Sequence, residues 1–141
     1  MKEIVLFIKS LYTRLNYIVD KDLKYHFNFV MGNTGCDLDS LVSSIFYAFY
    51  KNLESGLISF PEKDEIVYSI EDNAYAQLNV DVTKVIYIPI INCNKGELSW
   101  RLDITELLEK MGLTENDYFI YYSDVIDAKN CSILFKLLKS K

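Results

Sequence analysis

Two aspartates, Asp37 and Asp39, lie at the end of the run Phe29-Val30-Met31-Gly32-Asn33-Thr34-Gly35-Cys36-Asp37-Leu38-Asp39-Ser40. Carboxylates two positions apart in a turn can aim at one point, and hard divalent cations such as Mg²⁺ or Mn²⁺ take oxygen ligands of this kind. Asn33 can add its side-chain carbonyl. Gly32 and Gly35 let the backbone turn sharply here, and in open parallel sheets ligands bind just beyond the carboxyl ends of the strands. The same residues have a second reading that needs no cation. Asp and Ser at a helix start accept hydrogen bonds from orphan N–H groups, a cap worth about 1 kcal/mol. Spacing alone does not separate a metal site from a cap.

The elements that would hold this run can be read from periodicity. His26 to Met31 is short and mostly apolar and is expected to be a buried strand. Asp37 to Leu53 carries Leu41, Val42, Ile45, Phe46, Phe49 and Leu53 along one side, a helical pattern ended by Gly56. Ahead of them, Ile4, Ile8, Leu11, Leu15 and Ile18 recur at steps of three and four, so Lys2 to Asp20 reads as an amphipathic helix. Farther on, Glu65 to Ile70 is a candidate strand and Asn73 to Asn79 a turn or one helical turn. Val85 to Ile90 is β-branched and aromatic, as strands are, and Pro89 points to an edge or a terminus. Glu97 to Met111 reads as a helix, Tyr118 to Tyr122 as a strand and Ser132 to Leu138 as a helical tail. Strands alternating with helices predict an α/β fold with a mostly parallel sheet flanked by helices.

Composition bounds the function classes. The chain has 141 residues, half of them apolar and 14% aromatic, enough for one domain with a packed core. Twenty acids against fifteen bases leave a formal charge of −5. Nucleic-acid binding relies on a basic footprint, which this composition does not offer, so no nucleic-acid partner is expected. No tract is long and apolar enough to predict a membrane span, and the start of the chain does not resemble a signal peptide. Three widely spaced cysteines, Cys36, Cys93 and Cys131, suit a reducing compartment, so a cytoplasmic protein is expected.

The pattern Gly-Asn-x-x-x-Asp-x-Asp-Ser over 32–40, after an apolar strand, resembles motif I of the DHH phosphoesterase superfamily. Asn33, where many members have histidine, and the small residues Ser40, Ser43, Ser44 and Ala48 are similar to the exopolyphosphatase and prune branch. A second stretch fits that branch: Ile88-Pro89-Ile90-Ile91, then Glu97-Leu98-Ser99-Trp100-Arg101-Leu102-Asp103. The resemblance runs from about Phe29 to about Asp127. It implies a metal-dependent hydrolase of phosphoanhydride bonds, releasing phosphate from polyphosphate or similar short phosphate chains. By position, Asp37, Asp39 and Asn33 would be the metal-site residues for Mn²⁺ or Mg²⁺, and Arg101 a phosphate contact in substrate binding.

The chain also departs from that pattern. The Asp-His-His signature needs two adjacent histidines, and this sequence has one histidine in all, His26. Asp124 and Asp127 follow a strand and read as solvated turn acids; His26 reads as a partly buried structural residue. Two carboxylates without histidines do not build a closed two-metal site. The expectation is a single partial, apparently truncated DHH-type α/β domain over 1–141. It would be completed by another chain or by self-association, or retained as a non-catalytic prune-like interaction remnant. A generic nucleotide-binding domain fits less well: Gly32 to Gly35 makes neither a dinucleotide fingerprint nor a P-loop.

Overall fold

Helix α1 (Lys2–Asp20) forms where the three-and-four spacing predicts it, and it buries Ile4, Phe7, Ile8, Leu11, Leu15 and Ile18. The structure, a computed structural model, describes residues 2–21, 25–69, 85–114 and 118–126. After α1 come strand β1 (His26–Met31), helix α2 (Leu38–Glu54), the short strands β2 (Ile58–Ser59) and β3 (Val67–Tyr68), and strand β4 (Val85–Ile91). A 3₁₀ segment (Lys95–Trp100), helix α3 (Leu102–Lys110), strand β5 (Ile120–Tyr121) and the short helix α4 (Tyr122–Ile126) follow. The expectations for 73–79 and 132–138 lie outside the described residues.

The architecture is α/β, as expected. Strands β1, β4 and β5 form a parallel sheet in the order β1-β4-β5, while β2 and β3 pair antiparallel in a sheet of their own. The β1–β4 register places His26 opposite Val85 and Met31 opposite Ile90. Strand β4 is the axis of the core: Ile86, Ile88, Ile90 and Ile91 are each 1% exposed. Phe7 of α1 meets Phe49 of α2 edge-on at 5.6 Å between ring centroids. The β2–β3 pair is tied to α1 through Tyr68, whose hydroxyl is 2.7 Å from that of Ser10. The Arg14 guanidinium lies 4.8 Å from the same ring, and burial pushes the Tyr68 hydroxyl up to about 12.

Four expectations are corrected, each for a physical reason. Strand β1 is an outer strand among the described residues, and Phe29 and Met31 are exposed, so it is not a buried strand. Pro89 lies within the central strand, opposite Val30. Tyr87, two residues earlier and therefore on the same side of the strand, has both main-chain groups bonded to a side chain and not to β1. Asn52 of α2 donates to the Tyr87 carbonyl at 2.8 Å and accepts from its N–H at 2.9 Å. The missing N–H of Pro89 thus falls on the side away from the β1 ladder. The buried face of α2 runs through Leu41, Ser44, Ile45, Ala48 and Asn52, while Phe46 and Leu53 are exposed. Small Ser44 and Ala48 on that face let the helix backbone come close to the sheet. Finally, the stretch expected as one helix from Glu97 breaks at Arg101 (φ −95, ψ 85) into the 3₁₀ segment and α3.

Asn52 is fully buried, and its two hydrogen bonds stand in for a neighbouring strand. Asn52→Leu keeps the branched heavy-atom skeleton and orphans both Tyr87 groups, which costs about 2–4 kcal/mol. Urea denaturation measures it. A loss below about 1 kcal/mol would show that these bonds contribute little net stability.

Candidate functional site

The loop from Gly32 to Asp37 leaves the carboxyl end of β1 and enters α2 through a linked set of short-range bonds. The Asp37 main chain is extended (φ −71, ψ 166), the geometry of a helix N-cap. Its Oδ1 accepts the Ser40 N–H at 2.9 Å, and its Oδ2 accepts the Asn33 Nδ2 at 3.1 Å. The Ser40 hydroxyl accepts the Asn33 N–H at 3.1 Å. Cys36 N–H closes the turn on the Asn33 carbonyl at 3.2 Å.

Two features make this loop possible. Gly32 packs on Ser40 so closely that a Cβ there would lie 2.6 Å from the Ser40 Cβ and 2.9 Å from its carbonyl oxygen. Cys36 adopts a left-handed backbone (φ 45), which costs a residue with a side chain about 1–2 kcal/mol. Its N–H bond and its burial in the core hold it there.

Two side chains from the β4–α3 region reach the loop. Asn92, just after β4, donates from Nδ2 to the Gly32 carbonyl at 2.9 Å. Arg101, at the break before α3, donates from Nη2 to the Gly35 carbonyl. The expected second stretch is thus physically joined to the loop.

Above the loop lies an open cleft of about 450 Å³, lined in part by Gly32, Asn33, Asp37, Asp39, Ser40 and Ser43. The two aspartates and Asn33 therefore share one cleft, as their spacing allows. The Asp37 carboxyl is held below its ordinary value by the Ser40 backbone N–H first. The Asn33 amide and the Ser40 side chain add to this, and the Arg101 charge contributes least. The capping reading is realised in the structure. It does not exhaust the donors, because each carboxylate oxygen of Asp37 has a second lone pair.

The other polar candidates fall elsewhere. His26 is exposed, not partly buried, and begins β1 five residues before Met31, roughly 16 Å along the strand from the cleft. Asp124 accepts the Tyr121 N–H at 2.9 Å, a local cap at the start of α4. Asp127 and Cys131 lie outside the described residues. Cys36 and Cys93 are both buried free thiols, and burial pushes the Cys93 thiol up to about 12. Among the described residues, no group of three or more His, Cys, Asp or Glu side chains is placed to hold a metal ion. Sequence reasoning missed Asn92: a lone Asn after a strand carries no periodic signal.

Comparison with known proteins adds one relation. The chain is 30% identical over 98 residues to human exopolyphosphatase PRUNE1. This chain is similar to a stretch of a prune-type exopolyphosphatase. The matched stretch is 70% of this chain and 16% of the human protein, so the chain spans well under a fifth of that relative. No family model matches the chain. No solved structure matches it either. No helix among the described residues is long and apolar enough to cross a membrane.

Two expectations follow from this geometry. Gly32→Ala forces the new methyl against Ser40 backbone and side chain, and a thermal or urea melt will show a loss of about 1–3 kcal/mol. A loss near zero would mean that the loop can shift away from α2. The second concerns pH. Because the folded-state pKa of Asp37 is depressed, its contribution is complete above the ordinary value of 3.8 and is lost as pH falls through the folded value. The stability difference between wild type and Asp37→Asn is therefore expected to be flat above pH 3.8 and to move against wild type below it, read from urea melts across that range.

Proposed function

We propose that this chain carries part of the active site of a metal-dependent phosphoanhydride hydrolase, acting on polyphosphate or similar short phosphate chains. The observation that supports the reading is the convergence of Asp37, Asp39 and Asn33 on one cleft at the carboxyl end of β1, with Arg101 bonded to the same loop. The human relative, which carries the name exopolyphosphatase, points the same way.

In this reading Asp37 and Asp39 hold Mn²⁺ or Mg²⁺, and Asn33 turns its carbonyl oxygen toward the same point. The donor set is all oxygen, as hard cations prefer. It suits a cation whose remaining positions are filled by waters and substrate phosphates, the usual mode of Mg²⁺, and it does not suit a closed two-metal cage. A bound divalent cation would lower the pKa of a coordinated water and offset charge on the phosphoryl oxygens. Arg101 uses one N–H on Gly35 and has four others to offer a phosphate. A cation held between the carboxylates and the substrate would let a chain of net charge −5 bind an anionic phosphate.

A second reading is a prune-like remnant that binds partners without catalysis. The observation behind it is the single histidine of the sequence, distant from the cleft. In both readings a completing chain or a second copy is a proposed partner. The readings separate on metal binding and turnover. Mn²⁺ titration by calorimetry is expected to give a dissociation constant on the order of millimolar, tightening when tripolyphosphate is added. Asp37→Asn retains a good N-cap residue and is expected to remain folded at neutral pH, while Mn²⁺ binding is lost. Phosphate release from polyphosphate that depends on Mn²⁺ and on Asp37 supports the enzyme. Metal binding without release leaves the remnant, and no metal binding at all removes both site assignments.

A further inference from the structure

We infer that Asn92 is a positioning residue: it fixes the loop that presents Asp37 and Asp39, and through that loop sets the metal affinity of the cleft. The inference rests on the functional reading above and adds a residue to it. Its basis is a continuous relay of contacts. Asn92 is anchored by the end of the central strand β4 and donates to the Gly32 carbonyl at 2.9 Å. Gly32 packs without clearance on Ser40. The Ser40 hydroxyl takes the Asn33 N–H at 3.1 Å, and the Asn33 amide reaches Asp37 Oδ2 at 3.1 Å. Every link from the sheet to the carboxylate is thus a direct contact.

The space beneath the loop explains why this side chain matters. Residues including Gly32, Cys36, Leu41, Ser44, Ile90 and Asn92 line it, and it has no room for a water molecule. With the Asn92 amide in place, no solvent is needed to satisfy the Gly32 carbonyl. A side chain of the same size without a donor would leave that carbonyl facing an apolar wall. The loop relieves this by lifting away from β4, which pulls on Ser40 and Asn33 in turn. Residues that orient metal ligands in this indirect way typically alter metal affinity by tenfold or more.

The test compares wild type with Asn92→Leu in two measurements. The first is amide hydrogen exchange. The Asn33 and Ser40 amides are expected to exchange at least about tenfold faster in the variant, beyond any change at amides in the middle of α2. A merely structural role would move both sets together. The second is Mn²⁺ affinity, expected to weaken by at least about tenfold. Should Asn92→Leu not fold, Asn92→Ala, which opens space for one water to replace the amide, is expected to show the same pattern at smaller amplitude. Loop exchange that tracks the core overturns the inference. So does faster loop exchange with unchanged Mn²⁺ affinity. If wild type binds no Mn²⁺, it is the functional reading that fails, and the exchange comparison still decides whether Asn92 holds the loop.

Discussion

The contact between Gly32 and Ser40 is the constraint on which the rest of this site depends. It lets the backbone leaving β1 lie directly against the first turn of α2, with no side chain between them. Only at that distance can the Ser40 hydroxyl reach the Asn33 N–H and the Asn33 amide reach Asp37. The close approach of α2 to β4 along Ser44 and Ala48 extends the same tight packing down the helix. A strand end and a helix start so joined make a stiff corner, and the corner carries the carboxylates.

A stiff corner matters because the capping and metal-binding readings of Asp37 are compatible. The cap consumes one lone pair on each oxygen and fixes the carboxylate in place. Hydrogen bonds from Ser40 and Asn33 lower the pKa of the group, which favours the ionised state that a cation would need. In the proposed reading the cap prepares Asp37 as a ligand instead of competing with that role. Asp39, one residue into the helix, is exposed and lines the same cleft. Negative charge there is also favoured by the helix dipole, so the fold tolerates both acids without a metal.

Much of this was legible in the sequence, and the parts that were not share a cause. Helix α1, helix α2 with Asp37 at its start, and the loop bearing Asn33, Asp37 and Asp39 all announce themselves through periodicity and turn residues. The buried face of α2 did not, because Ser44, Ala48 and Asn52 win their places by size and hydrogen bonding, whereas apolar Phe46 and Leu53 are left exposed. Pro89 fits in the central strand because its missing N–H faces away from β1, the side on which Asn52, 35 residues from Tyr87 in the chain, bonds the Tyr87 main chain. Asn92 and Arg101 bind loop carbonyls from across the sheet, contacts that composition and spacing do not encode. Side chains that serve a distant backbone leave no pattern in a single sequence.

We propose that a divalent cation binds at the corner after β1. Paramagnetic broadening of backbone NMR signals by Mn²⁺ locates bound metal directly. At low Mn²⁺, amides of residues 33–40 and of Arg101 are expected to broaden first, while those around the exposed acids Glu62, Asp64 and Glu65 broaden only at higher concentration. Uniform broadening, or broadening that begins at Glu62 to Glu65, would contradict it.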